Sequence, residues 1–179
     1  MSTRKLALPA AALALALALA LAAPAVAETP GLGRAISPAD LAPWDISIMP
    51  DGRGLPAGSG NAAQGAKVYA EQCAACHGDK GRGGINGALV GNPPIDRIDA
   101  AKTIANFMGY ATTLFDFTRR AMPANMPRTL TDDQVYAVVA YMLAENKLIG
   151  ENDVMNAQTL PKVKMPNRDN FIIRFPDRI

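Results

Sequence analysis

The sequence predicts an all-α domain of modest size flanked by two irregular segments, and three observations carry that prediction. Two stretches, starting at Asn61 and at Thr131, combine an N-capping residue with apolar side chains at helical spacing. No segment shows the apolar/polar alternation that a half-buried strand requires. Proline and glycine are concentrated outside the helical stretches, in residues 28–60, in 78–94 and after Gly150.

Residues 1–27 have the form of a signal peptide. Arg4 and Lys5 make a positive start, an apolar run follows from Leu6 to Ala23, and the small residues Ala25, Val26 and Ala27 precede Glu28. An uncleaved membrane anchor is the competing interpretation, since roughly twenty apolar residues can span a bilayer. Pro9 and Pro24 interrupt the run, and the small triplet sits where a peptidase cuts, so export to the periplasm and cleavage are expected. Cleavage removes two of the 18 basic residues and none of the 16 acidic ones. The mature chain is then neutral, which removes the electrostatic case for nucleic-acid binding. About 150 residues remain, enough for one domain.

Residues 28–60 form an extended N-terminal arm, with turn signals at Pro50-Asp51-Gly52 and Gly58-Ser59-Gly60 and no helical period. Asn61 caps a helix that reaches about Cys73, with Ala62, Ala66, Tyr69 and Ala70 on one face. A glycine-rich loop runs from Gly78 to Pro94. Short helices are expected over Ala100–Phe107 and Thr112–Ala121, after which Pro123 and Pro127 stop regular structure. Thr131 and Gln134 make a capping box for a helix ending near Asn146, with Asp132 and Asp133 at its positive end and Val135, Val138, Val139 and Met142 as its apolar stripe. Residues 151–179, with Pro161, Pro166 and Pro176, form an irregular tail. The domain between arm and tail is 61–150.

Chemistry concentrates at Cys73-Ala74-Ala75-Cys76-His77, the form in which a heme is attached by two thioethers while the adjacent imidazole coordinates iron. Two thiols three residues apart can reach the two vinyl groups on one edge of the macrocycle, and the next residue falls beneath the metal. A redox dithiol would need a strand before the pair and a helix after it. A disulfide across so short a loop gains little entropy. A zinc site would need a second ligand pair, and His77 is the only histidine. One covalently bound heme c is therefore expected, which fits export.

The sixth ligand, if there is one, cannot be histidine. Methionine is a usual partner and raises the reduction potential. Met108, Met122, Met126, Met142, Met155 and Met165 are the candidates, each by default an apolar filler. Met122 and Met126 each precede a proline just before the capped helix, so a loop there can cross the open heme face; Met122 is preferred and Met126 kept as the alternative. A chain in which neither reached the iron would be a five-coordinate enzyme or sensor.

Gly65 and Tyr69 before the heme motif, the Met-Pro loop, and Tyr136, Ala140 and Tyr141 in the last helix make the chain resemble a class I cytochrome c. The resemblance implies a class I cytochrome c fold in which the first and last helices cross closely. It also implies a proline carbonyl accepting the imidazole N–H, for which Pro93 is the candidate.

A narrower resemblance rests on Gly31-Leu-Gly-Arg34, Trp44-Asp45, Pro50-Asp-Gly-Arg-Gly-Leu-Pro56, Arg120-Ala-Met-Pro123, Leu130-Thr131 and Leu160-Pro-Lys-Val-Lys-Met-Pro-Asn-Arg168. These segments are similar to the cytochrome c subunit of sulfur-compound dehydrogenases, the SoxD-like proteins. The resemblance implies an electron-transfer subunit, not itself an enzyme, that partners a molybdenum-containing dehydrogenase and passes electrons to another cytochrome c. It favours Met122, which lies in the Ala-Met-Pro motif. The family's named member carries two cytochrome domains, whereas this chain has room for one. Trp44, Ile46, Ile48, Phe171 and Ile172 in arm and tail gain little by folding onto a small domain, so a partner surface is expected to cover them, with Trp44 as its anchor. A free diffusible carrier is the alternative.

Overall fold

The structure is a computed structural model that describes residues 31–171. The expected signal peptide, the first residues of the arm and Ile172 lie outside the described residues. The chain divides into two units, one ending at Ala42 and one starting at Pro43. In the first, Ser37 and Asp40 exchange side-chain and backbone hydrogen bonds as a capping box for the single-turn helix α1 (Pro38–Leu41).

In the second unit, helix α2 (Ala62–Gln72) starts where Asn61 accepts from the Gln64 N–H at 3.0 Å and Gln64 accepts from the Asn61 N–H at 3.0 Å. The heme motif does not continue that helix. Cys73 leaves the helical region at φ −125°, and Ala74–His77 forms a separate turn, α3. Helix α4 (Ile104–Phe107) is shorter than expected because Thr103, not a residue near Ala100, caps it with Asn106. Helices α5 (Ala111–Ala121) and α6 (Asp132–Glu145) fall where the sequence places them, and Thr131 and Gln134 form the expected box.

Two short strands, β1 (Ser59–Asn61) and β2 (Val154–Asn156), pair antiparallel with Gly60 opposite Met155. The sequence gives no sign of them, since three residues are too few to show an alternation. The fold is nevertheless helix-rich, as expected, and carries one small ladder.

Helix α6 is the spine of the core. Its buried residues include Val135, Tyr136, Val139, Ala140 and Leu143, on more faces than the predicted stripe. Its crossing with α2 is close because Gly65 lacks a side chain; a Cβ there would lie on the Ala137 carbonyl and against Tyr141. Tyr69 packs on Tyr141 with ring centroids 5.2 Å apart, completing that contact. Tyr136 faces the other way, onto Phe115 of α5 at 4.4 Å. The pair of tyrosines on α6 thus divides between two helices.

The tail does not wait for a partner. Met155, Leu160, Val163 and Met165 are buried in the same core. Arg168 stacks over the Tyr110 ring at 4.2 Å. Part of the arm is likewise tied down: the Tyr136 hydroxyl donates to the Pro56 carbonyl (2.9 Å), the Ser59 N–H to Asp133 (2.7 Å), and Ile48 and Leu55 pack on the core. Ile46 is half-buried, whereas Trp44 is 81% exposed and Phe171 54%. The expectation of uncovered apolar ends is therefore corrected for the tail to Met165 and for the arm beyond Ile46. These residues fill a core that 61–150 alone leaves incomplete.

Candidate functional site

The residues following α2 form a pinned loop. Cys73 and Cys76 are free thiols, both half-buried. Burial pushes the Cys73 thiol up to about 11, with the neighbouring Cys76 adding to the rise, so it is protonated at neutral pH. His77 ends α3, and Gly78 turns the chain at φ 77° and ψ 177°, a conformation open essentially only to glycine.

From there the loop folds back onto the motif. The Gly83 N–H donates to the His77 carbonyl (3.1 Å), the Asn86 N–H to the Cys76 carbonyl (3.0 Å), and the Leu89 and Val90 N–H groups to the Gly81 carbonyl at 2.7 and 2.9 Å. The Tyr69 hydroxyl donates to the Gly78 carbonyl at 2.8 Å. Asn146, at the end of α6, clamps the far side by accepting from the Gly91 N–H (3.0 Å) and donating to the Leu89 carbonyl (3.3 Å).

His77 Nδ1 lies 3.3 Å from the Gly87 carbonyl. With its proton on Nδ1 donated there, the imidazole keeps the Nε2 lone pair for a metal. The sequence expectation of Pro93 is corrected. Its carbonyl accepts from Asn106 Nδ2 at 2.9 Å instead, because Pro93 follows the loop's return to Asn146. A backbone carbonyl carries no residue-type signal, so no sequence feature distinguished Gly87.

The methionines separate by burial. Met142, Met155 and Met165 are core fillers, and Met108 is half-buried against the core. Met126 is 49% exposed. Met122 is half-buried, in extended conformation at the C-cap of α5, and opens the loop to α6. A cleft of about 630 Å³ lies between Asn92–Ile95, α4 and the tail around Asn167 and Phe171, and none of Cys73, Cys76, His77 and Met122 lines it. Donor chemistry, rather than cavity size, marks the site. Among the described residues no group of three or more His, Cys, Asp and Glu side chains could hold a metal ion directly. Two free thiols followed by an imidazole with its Nδ1 engaged fit a heme.

A helical fold with a close α2–α6 crossing and this thiol–thiol–imidazole turn defines a c-type cytochrome. Residues 60–142 match the family model of the cytochrome c oxidase, cbb3-type, subunit III. The solved structure of the sulfane dehydrogenase SoxCD from Paracoccus pantotrophus contains a chain of the same fold, 34% identical with a TM-score of 0.74, covering 83% of this chain and 73% of that one. The chain belongs to the SoxD-like c-type cytochromes. It is also 37% identical over 87 residues to the thiosulfate dehydrogenase of Stutzerimonas stutzeri (strain A1501), matching 49% of this chain and spanning 28% of that protein's length. The class carries heme c and transfers electrons.

Proposed function

We propose that this chain is an exported monoheme cytochrome that passes single electrons from a sulfite-oxidase-type molybdenum dehydrogenase, acting on a sulfur compound, to another cytochrome c. Cys73 and Cys76 hold the heme through thioethers, His77 is one axial ligand and Met122 the other. The observation that carries the assignment is the His77 imidazole, directed by the Gly87 carbonyl and placed next to two free thiols. Bound there, the heme supplies a one-electron ferric/ferrous couple. The chain's residues fix the imidazole, exclude water through the α2–α6 core and offer a soft thioether.

Residues 1–27 would be removed on export. The heme domain 61–150 is completed by the tail to Met165, and among the described residues no helix is long and apolar enough to cross a membrane. Likeness to a SoxCD chain supports a molybdenum-containing partner. The thiosulfate dehydrogenase, of which this chain spans 28%, supports the sulfur context, the chain corresponding to only part of that enzyme. Trp44, exposed in the arm, is the anchor for the partner.

The test is the ferric spectrum of the exported protein. The near-infrared Met-to-iron band is expected in the wild type and in Met126→Ala, and lost entirely in Met122→Ala with a fall in reduction potential. High-spin iron in the wild type would overturn the ligand set. When the molybdenum subunit is co-produced, the two are expected to purify together, and a strictly monomeric product would overturn the partnership.

A further inference from the structure

The loop carrying Met122 and Met126 runs from the end of α5 to Thr131, and its own hydrogen bonds are local. The Met126 N–H donates to the Pro123 carbonyl (2.9 Å) and the Thr129 hydroxyl to the Met126 carbonyl (2.8 Å). Pro123 is buried, but residues 124–129 are all exposed. Neither packing nor hydrogen bonding ties this exposed middle to the core.

Its two ends, however, are joined. Arg119 Nε lies 3.0 Å from Asp132 Oδ1, with the side chains 26% and 35% exposed. Arg119 stands in the last turn of α5, three residues before Met122, and Asp132 is the first residue of α6. The neighbouring Arg120 pairs with Asp116 at 2.7 Å inside α5 and spans nothing. Each member of the spanning pair also suits the dipole of its own helix end, yet only this pair bridges the loop.

We propose that Arg119 and Asp132 are positioning residues, an ion-pair clasp that holds the base of the loop closed and keeps the Met122 thioether on the iron. The inference rests on Met122 being the sixth ligand. Opening the loop frees the backbone of its exposed segment, which favours the ligand-off state. A contact made only while the ends are together shifts the equilibrium back. Partly exposed pairs of this kind change an equilibrium by about 1.5- to 5-fold.

The test uses the heme-loaded ferric protein and imidazole, which can bind iron only after methionine leaves. Arg119→Gln and Asp132→Asn are each expected to raise the apparent imidazole affinity about 1.5- to 5-fold. The double variant should rise little beyond either single one, and Arg119→Lys should fall between Gln and wild type. Arg120→Gln, which breaks the pair inside α5, should leave imidazole binding unchanged. Unchanged binding in Arg119→Gln, an equal rise in Arg120→Gln, or fully additive singles would overturn the clasp. Failure of the underlying assignment shows separately: the wild type would then lack the Met-to-iron band, and the clasp falls with it. If the band is present and lost in Met122→Ala while Arg119→Gln binds imidazole as the wild type does, the clasp alone fails.

Discussion

The two loops proposed to face the heme are built on opposite plans. The histidine-side loop, 78–91, is held from within by backbone bonds to Gly81, His77 and Cys76, and from outside by Tyr69 and Asn146. The methionine-side loop, 122–131, has two local bonds, an exposed middle and one ion pair at its base. One end of the proposed axis is thus a fixed framework and the other a closure that can let go. For electron transfer this division is useful. A rigid imidazole limits the rearrangement that accompanies a change in iron charge, while a removable thioether sets how readily outside ligands enter.

The largest expected effect comes from breaking the fixed side at its turn. In Gly78→Ala, the new Cβ would lie on the Gly83 carbonyl, and the φ of 77° with ψ near 177° is strained for any side chain. A loss of about 3 kcal/mol or more is expected in denaturant unfolding, together with a lower yield of heme-loaded protein. Wild-type stability would mean the framework is softer than its hydrogen bonds suggest.

Asn146→Ala sharpens the contrast. It leaves the Gly91 N–H and Leu89 carbonyl without their side-chain partner, a cost of about 1–3 kcal/mol by the same unfolding measurement. Imidazole entry should not change, because the alteration lies on the other loop. Faster entry would show that the two sides are coupled.

Tyr69→Phe has the smallest effect, about 1 kcal/mol, through loss of the donor to the Gly78 carbonyl. It also carries a pH signature. Burial pushes the Tyr69 hydroxyl up to about 12 from its ordinary 10. Because the folded value lies above the unfolded one, the stabilisation is complete below pH 10 and disappears as pH rises through about 12. Unfolding midpoints measured across that window should fall more steeply in wild type than in Tyr69→Phe.

Much of this was legible in the chain because its signals are local. Asn61 as an N-cap and Thr131 with Gln134 as a capping box announce two helix starts, and both caps form as read, Gln64 adding the return bond at the first. Cys73, Cys76 and His77 are adjacent in sequence, so their chemistry needs no fold to be recognised. One misreading is local and the others involve distant partners. Thr103 displaced the expected start of α4 because Asn106 completes its cap. The strands β1 and β2 lie nearly a hundred residues apart and are too short to show a period. The tail reads as irregular for want of periodicity, yet Leu160 and Met165 bury themselves singly, through 3₁₀ turns and extended chain.

The sequence by itself determined α2, α5 and α6, the heme motif and the choice of methionine to be tested, since capping, turn chemistry and ligand type depend on neighbours along the chain. Only the tertiary structure decided that Gly87 rather than Pro93 orients His77, that Asn146 locks one loop, and that Arg119 meets Asp132 across the other. A carbonyl is the same in every residue, and an arginine has many possible acceptors. Which of them it meets is set by the packing of helices brought together from far along the chain.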